Sequence, residues 1–83
     1  MTYNIHIPRS VVRSFKRGEY CNDIFSDAVA AATGIDTYVG ATGIHWPDGS
    51  YSAHSRTAIR TIRNADNFVL PDRPIRFRIT VYN

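Results

Sequence analysis

Residues 75–82 read Ile-Arg-Phe-Arg-Ile-Thr-Val-Tyr, the most regular alternation of apolar and polar side chains in the chain. Successive side chains of a β-strand point to opposite sides, so this pattern predicts a strand with one buried face. Residues 2–7, Thr-Tyr-Asn-Ile-His-Ile, alternate in the same way. The two stretches together predict a sheet with an apolar inner face and a polar outer face.

Apolar residues at helical spacing predict three helices, over residues 8–17, 22–33 and 55–64. Pro8 suits the first turn of a helix, where an N–H has no partner, and Gly18 suits the end of the same helix. Ser52 or Ser55 can cap the third helix.

A second type of signal comes from turn residues. A strand is predicted over residues 35–39, with a turn over 40–43 after it. The segment Pro47-Asp48-Gly49-Ser50 is a strong tight-turn signal, flanked by strands over 44–46 and 51–53. This hairpin brings Trp46 and Tyr51 near each other at its tip. Two interpretations stay open: the aromatics are exposed interface anchors, or Trp46 folds back to cover the core.

The order of predicted elements is β-α-β-β-α-β at coarse grain, within 83 residues. This order predicts one α+β domain over residues 1–83, built as a two-layer sandwich. Its antiparallel or mixed sheet would carry the helices on one face. Ferredoxin-like topology is the simplest arrangement of these elements, although the sequence does not determine the strand order.

The composition limits the class of protein. The net charge of +3 and the pI of about 9.4 favour acidic partners. They argue against a DNA mimic, which needs an excess of carboxylates. Cys21 is the only cysteine, and we expect it to be a small buried or half-buried hydrophobe in a reducing compartment. No apolar run approaches the roughly 20 residues of a membrane helix, and no signal-peptide pattern is present. A cytoplasmic protein without membrane contact is expected.

Basic side chains recur at one spacing in two of the predicted helices: Arg9, Arg13 and Lys16, and Arg56, Arg60 and Arg63. Offsets of four and seven residues place each set on one helix face. Each face is either a binding surface for carboxylates or phosphates, or a solvated face that keeps the protein soluble. Nine of the ten basic residues are arginine, which solubility alone does not require but which genomic base composition can also produce, so both interpretations stay open.

A second polar surface is predicted on the outer face of the sheet, if the first and last strands are neighbours. Its side chains are Asn4, His6, Arg76, Arg78 and Tyr82. Sheets that bind RNA stack bases on two or three central aromatic side chains, and this face has only Tyr82. Nucleic-acid binding on this face is therefore the weaker interpretation.

Motifs for catalysis or metal binding are not found. The three histidines form no H-x-x-x-H pattern, a second cysteine for a zinc site is missing, and no glycine-rich phosphate loop follows a strand. The sequence therefore predicts a protein that is not an enzyme, without cofactor or metal.

Several segments together form a familiar pattern: Ile5-His6-Ile7-Pro8-Arg9-Ser10-Val11, Gly18-Glu19-Tyr20-Cys21, an Ala-rich helix, an Asp-Gly turn and Pro74-Ile75-Arg76-Phe77-Arg78-Ile79. In these features the chain resembles a set of small accessory proteins encoded by bacteriophages and prophages. The set has no agreed activity. The resemblance implies a gene of a mobile element, and such genes often encode binders that blunt host defences, anti-CRISPR proteins among them.

The leading hypothesis is a non-enzymatic phage inhibitor that docks on the Cas proteins of a type I CRISPR surveillance (Cascade) complex. The expected contact residues are Arg56, Arg60, Arg63, Arg9, Arg13, Lys16, Trp46 and Tyr51. Two alternatives stay open: a small nucleic-acid-binding accessory protein, and a structural or assembly protein of the phage. We expect a monomer or a weak homodimer.

Overall fold

The structure, a computed structural model, describes residues 1–81 and contains five strands and three helices. The strands are β1 (Thr2–Ile7), β2 (Tyr38–Val39), β3 (Gly43–His45), β4 (Tyr51–Ala53) and β5 (Ile75–Thr80). The helices are α1 (Arg9–Lys16), α2 (Ile24–Thr33) and α3 (Arg56–Asp66). The predicted α+β class is confirmed, and the arrangement is consistent with a two-layer sandwich. Tyr82, predicted on the last strand, lies outside the described residues.

The first and last strands pair with each other, as their matching alternation predicted. β1 runs antiparallel to β5, with Thr2 opposite Thr80 and Ile7 opposite Ile75. Ile5 and Phe77 face the core. Their neighbours along each strand, Asn4 and His6 in β1 and Arg76 and Arg78 in β5, are exposed. The pair buries one apolar face and leaves the other open, as a half-buried antiparallel ladder does.

The other three strands form a second antiparallel sheet in the order β2-β3-β4. The predicted tight turn joins β3 to β4, and Gly49 adopts a left-handed backbone there with φ of 90°. β2 is shorter than predicted, because only Tyr38–Val39 of the 35–39 segment is a strand. Just before β2, the Thr37 hydroxyl donates to the His45 carbonyl of β3 at 2.9 Å.

The two sheets meet at Ser52. Its hydroxyl donates to the Thr80 carbonyl of β5 and accepts from Trp46 Nε1 at 2.8 Å. The junction between β4 and β5 is therefore made by a side chain, and the strands divide into a two-stranded and a three-stranded sheet. Among residues 1–81, β1 pairs with β5 alone, so the ferredoxin-like arrangement, in which one continuous sheet has the first strand inside, is not formed there.

Helices α1 and α3 end in the same backbone motif. After α1, the Gly18 N–H donates to Phe15 and the Glu19 N–H to Ser14, which defines a Schellman motif with Gly18 in a left-handed conformation. After α3, Phe68 and Val69 donate to Ala65 and Asn64 in the same pattern. Phe68 takes the position of the glycine, with φ of 57°.

One apolar core joins both sheets and all three helices. Its buried side chains are Ile5, Ile7, Val12, Ile24, Phe25, Val29, Val39, Ile44, Trp46, Ala58, Ile62, Ala65, Leu70, Ile75, Phe77, Ile79 and Val81. Within residues 1–81, every helix is too short or too polar to cross a membrane.

Candidate binding surface

The basic face of α1 is bound by a carboxylate from the same chain. Asp72, in the loop before β5, accepts hydrogen bonds from Arg9 at 3.2 and 3.3 Å and from Arg13 at 3.0 and 3.2 Å. These two guanidinium groups hold the pKa of Asp72 well below its usual range, and the same hydrogen bond raises the pKa of Arg9. Two of the three predicted contact residues of α1 therefore attach a loop to the helix.

The third residue of that face, Lys16, is exposed and forms no ion pair with any described residue. The adjacent Arg17 pairs with Glu19 at 3.2 Å. Around α1, then, Arg9 and Arg13 share the carboxylate of Asp72 and Arg17 pairs with Glu19, so that Lys16 is the one cation of this helix surface without an ion pair among residues 1–81.

The basic face of α3 is in a different state. Arg56, Arg60 and Arg63 are all exposed, and none of them pairs with a carboxylate among residues 1–81. Ser55 starts the helix, because its hydroxyl accepts from the Ala58 N–H at 3.1 Å. The opposite face of α3 is buried, as predicted, so the three arginines project from an anchored helix.

Arg60 also lines a groove between α3 and the segment from Leu70 to Arg76. The lining residues are Thr57, Arg60, Thr61, Asn64, Leu70, Pro71, Arg73, Pro74, Ile75 and Arg76. Three arginines, two hydroxyls and an amide thus border the groove, and no carboxylate does. Arg63 lies elsewhere, in a shallow depression with Ile59, Asp66 and Ala41. We call the surface of Arg56, Arg60, Arg63, Arg73 and Arg76 the α3 cationic surface.

The loop before β5 serves the two helices in opposite ways. Asp72 reaches α1, whereas the next residue, Arg73, lines the groove beside α3. Arg73 was not among the predicted contact residues, and the alternation of the last strand assigned Arg76 to the sheet face. The signal available was the rigid Pro71-Asp72-Arg73-Pro74 segment, in which two opposite charges adjoin between prolines.

The hairpin aromatics do not form an exposed pair. Trp46 is 4% exposed and its indole N–H is bound by Ser52, so the structure places it in the core rather than among the contact residues. The second of the two interpretations therefore holds for Trp46. Tyr51 is 41% exposed, packs against the His45 ring at 4.7 Å, and shares a hydrogen bond with Thr42. Only Tyr51 stays accessible for contact.

The polar face of the two-stranded sheet forms with the predicted neighbours. Asn4 lies opposite Arg78, and His6 lies opposite Arg76. All four side chains are exposed. Arg76 belongs to this face and also lines the groove beside α3, so it connects the two surfaces. Tyr82, the one aromatic expected here, is outside the described residues.

The other metal-ligating side chains of the described residues do not cluster. Among residues 1–81, no three His, Cys, Asp or Glu side chains come close enough to hold a metal ion. Cys21 is exposed, contrary to the expected burial, because it lies in the surface segment between α1 and α2. His54 is 8% exposed, and burial lowers its pKa, while its Nε2 bonds the Gly40 carbonyl at 2.9 Å. It is a structural histidine at the start of α3.

Comparison with known proteins adds no relative: no protein-family model, curated protein or solved structure matches the chain. The resemblance to phage accessory proteins therefore stays a prediction, and the α3 cationic surface is the feature from which function is argued.

Proposed function

We propose that the protein is a non-enzymatic, phage-encoded inhibitor that docks through its α3 cationic surface on an acidic surface of a host defence complex. The proposed target is the Cas proteins of a type I CRISPR surveillance complex in the bacterial cytoplasm. The observation that carries the docking surface is the groove lined by Arg60, Arg73 and Arg76 without a carboxylate. The phage origin and the choice of complex come from the resemblance alone.

The chemistry of the groove favours carboxylates of a protein over the phosphates of a nucleic acid. A guanidinium binds a carboxylate through two parallel hydrogen bonds, and arginine is enriched where interfaces concentrate their binding energy. Pro71 and Pro74 border the same groove and are exposed. An acidic peptide segment offers apolar side chains to these prolines, whereas a phosphate backbone offers none. No aromatic side chain lines the groove to stack on a base.

The experiment is co-purification with an affinity-tagged type I surveillance complex from nuclease-treated lysate. Wild type should co-purify with the complex. The amount of the double variant R60E/R73E that co-purifies should be at least tenfold lower. The matched control is K16E/R78E, which changes the net charge by the same amount at two cations outside the groove. The control should co-purify nearly as well as wild type.

Other outcomes separate the proposal from its alternatives. If R60E/R73E co-purifies as well as wild type, the α3 cationic surface is not the docking surface. Association that nuclease removes, and that falls steeply with salt, would favour the nucleic-acid-binding alternative. If wild type does not associate with any type I complex tested, the choice of target is wrong.

A further inference from the structure

The outer edge of β1 carries a row of backbone groups without partners. Met1 and Val81 exchange both of their backbone hydrogen bonds, at 2.8 and 3.0 Å. In an antiparallel pair such residues alternate with residues whose N–H and C=O point away from the neighbouring strand. Thr2, Asn4 and His6 are therefore the residues of β1 that point outward. Their N–H and C=O groups bond to nothing in the described chain, and all three residues are exposed.

The edges of β2 and β5 are protected, and this contrast makes β1 distinctive. β2 is two residues long, and its Val39 N–H donates to the Ser26 hydroxyl at 3.0 Å. β5 meets Ser52 through Thr80 and carries two arginines. Proteins that stay monomeric blunt their edges by short strands, charges, prolines or bulges. The six residues of β1 contain no charged residue, and its register with β5 runs without a bulge.

We propose that two copies of the chain associate through the outer edges of β1, forming one antiparallel four-stranded sheet in the order β5-β1-β1-β5. A two-fold axis at Asn4 gives the register in which the whole strand overlaps its copy. Asn4 then pairs with Asn4 of the second copy, and Thr2 pairs with His6. No charged side chain opposes another along β1, so the strand is complementary to itself.

The exposed Met1 side chain and a partly apolar groove lie at opposite ends of β1. The two-fold axis places the Met1 of one copy at the groove of the other. The Met1 side chain is 75% exposed. The groove lies between the end of β1 and α2, and its lining combines the apolar Ile7, Pro8, Val11 and Ala28 with the polar His6, Tyr20 and Asp27. Pairing about Asn4 places Met1 opposite Ile7 of the second copy, at this groove. A second copy therefore covers apolar surface on both subunits.

The cations of β5 do not oppose this assembly. Three strand spacings separate the two β5 strands, roughly 14 Å, so Arg76 and Arg78 of one copy lie far from those of the other. The exposed face of the four-stranded sheet carries both sets of arginines, with the two β1 strands between them. This inference does not rest on the proposed function, since none of its residues belongs to the groove beside α3 except Arg76.

Sedimentation velocity over a concentration series tests the association. Wild type should approach twice the 9.4 kDa mass of the chain as its concentration rises. N4P removes an outward N–H that bonds nothing in the monomer, so the β1–β5 ladder should survive and the dimer should be lost. N4K, which sets two ammonium groups at the axis, should also be monomeric, and it replaces N4P if that variant fails to fold. N4T keeps the uncharged edge and should still dimerise.

A cross-linking experiment tests the register. In a C21S background, N4C should form a disulfide-linked dimer, because Cα atoms of a directly hydrogen-bonded antiparallel pair lie about 5.5 Å apart, within disulfide range. R78C in the same background is the control, since its copies lie too far apart to link. The proposal is overturned if wild type stays monomeric throughout the series, if N4P and N4K still associate, or if R78C links as readily as N4C.

Discussion

Helices α1 and α3 carry the same charge pattern and end in the same backbone motif, yet their surfaces are in opposite states. On α1, Arg9 and Arg13 share one carboxylate, that of Asp72. On α3, the three arginines of the pattern pair with no carboxylate among residues 1–81. The loop before β5 makes the difference, because Asp72 reaches α1 while Arg73 extends the cationic groove beside α3.

A basic helix face is a candidate binding surface only where its cations are not already paired with carboxylates of the same chain. Identical spacing suggested two equivalent faces, but two cations of one face are already bound to a carboxylate of the same chain. A cation that already bonds a carboxylate has less to gain from an external partner, since the new contact must replace an existing one. The argument for docking therefore rests on α3.

The largest effect on stability is expected at the contact between β4 and β5. Strand β5 also supplies Arg76 to the α3 cationic surface. Ser52→Ala removes the acceptor of the buried Trp46 Nε1–H and the donor to the Thr80 carbonyl. Leaving these buried groups unpaired should lower the free energy of unfolding by about 2–3 kcal/mol, measured by urea denaturation. Ser50→Ala in the same hairpin is the control, because the Ser50 hydroxyl bonds only an exposed Asp48, and it should cost about 0.5 kcal/mol. Equal losses in the two variants would contradict the role given to Ser52.

A second prediction compares the two helix ends. Gly18→Ala should lower the free energy of unfolding by about 1 kcal/mol, since a Cβ there contacts nothing and only the left-handed backbone opposes it. At the other end, Phe68 already bears that strain, and its ring stacks on Phe15 with centroids 5.8 Å apart. Phe68→Ala loses the stack and keeps the strain, whereas Phe68→Gly loses both.

The glycine variant at position 68 should therefore be about 1 kcal/mol more stable than the alanine variant, in the same urea experiment. This ranking reverses the usual helix preference for alanine over glycine. If Phe68→Gly is no more stable than Phe68→Ala, the two helices do not end in equivalent motifs, and the comparison between them weakens.

Local patterns predicted much of the fold, because each depends on residues close in sequence. Alternation at residues 2–7 and 75–82 marked the two long strands, of which the second ends at Thr80, and helical spacing marked the three helices. The Pro-Asp-Gly segment marked the hairpin. The 35–39 strand was predicted too long, because only Tyr38–Val39 pairs with β3. At Thr37 the contact with β3 is made by the side-chain hydroxyl, which apolar periodicity does not reveal.

The state of the site depends on contacts between distant residues, so it was only partly predictable. Asp72 lies 63 and 59 residues from the two arginines it binds. Trp46 is held inside by Ser52, which in turn bonds β5, and local pattern left its position open. Arg73 lies in a loop, where no helical or strand periodicity predicts which way a side chain points. The helix spacing correctly marked the three exposed arginines of α3, but it could not separate them from the bound pair on α1.

The smallest expected effect tests the difference between the carboxylate-bound arginines of α1 and the unpaired arginines of α3. Asp72→Ala should free Arg9 and Arg13, so that α1 gains a cationic face resembling that of α3. The fold should persist, because the ion pairs are exposed and such pairs contribute little to stability. On a cation-exchange column at neutral pH, the variant should elute at higher salt than wild type.

Asp36→Ala supplies the control, since it removes one exposed carboxylate that pairs with no described cation. Both variants raise the net charge by one, so any difference in elution reflects how the charge is arranged. Asp72→Ala should elute later than Asp36→Ala, because two clustered guanidinium groups become available at once. Co-elution of the two variants would mean that Asp72 does not mask the α1 face in solution, and the two helices would then present equivalent cationic surfaces.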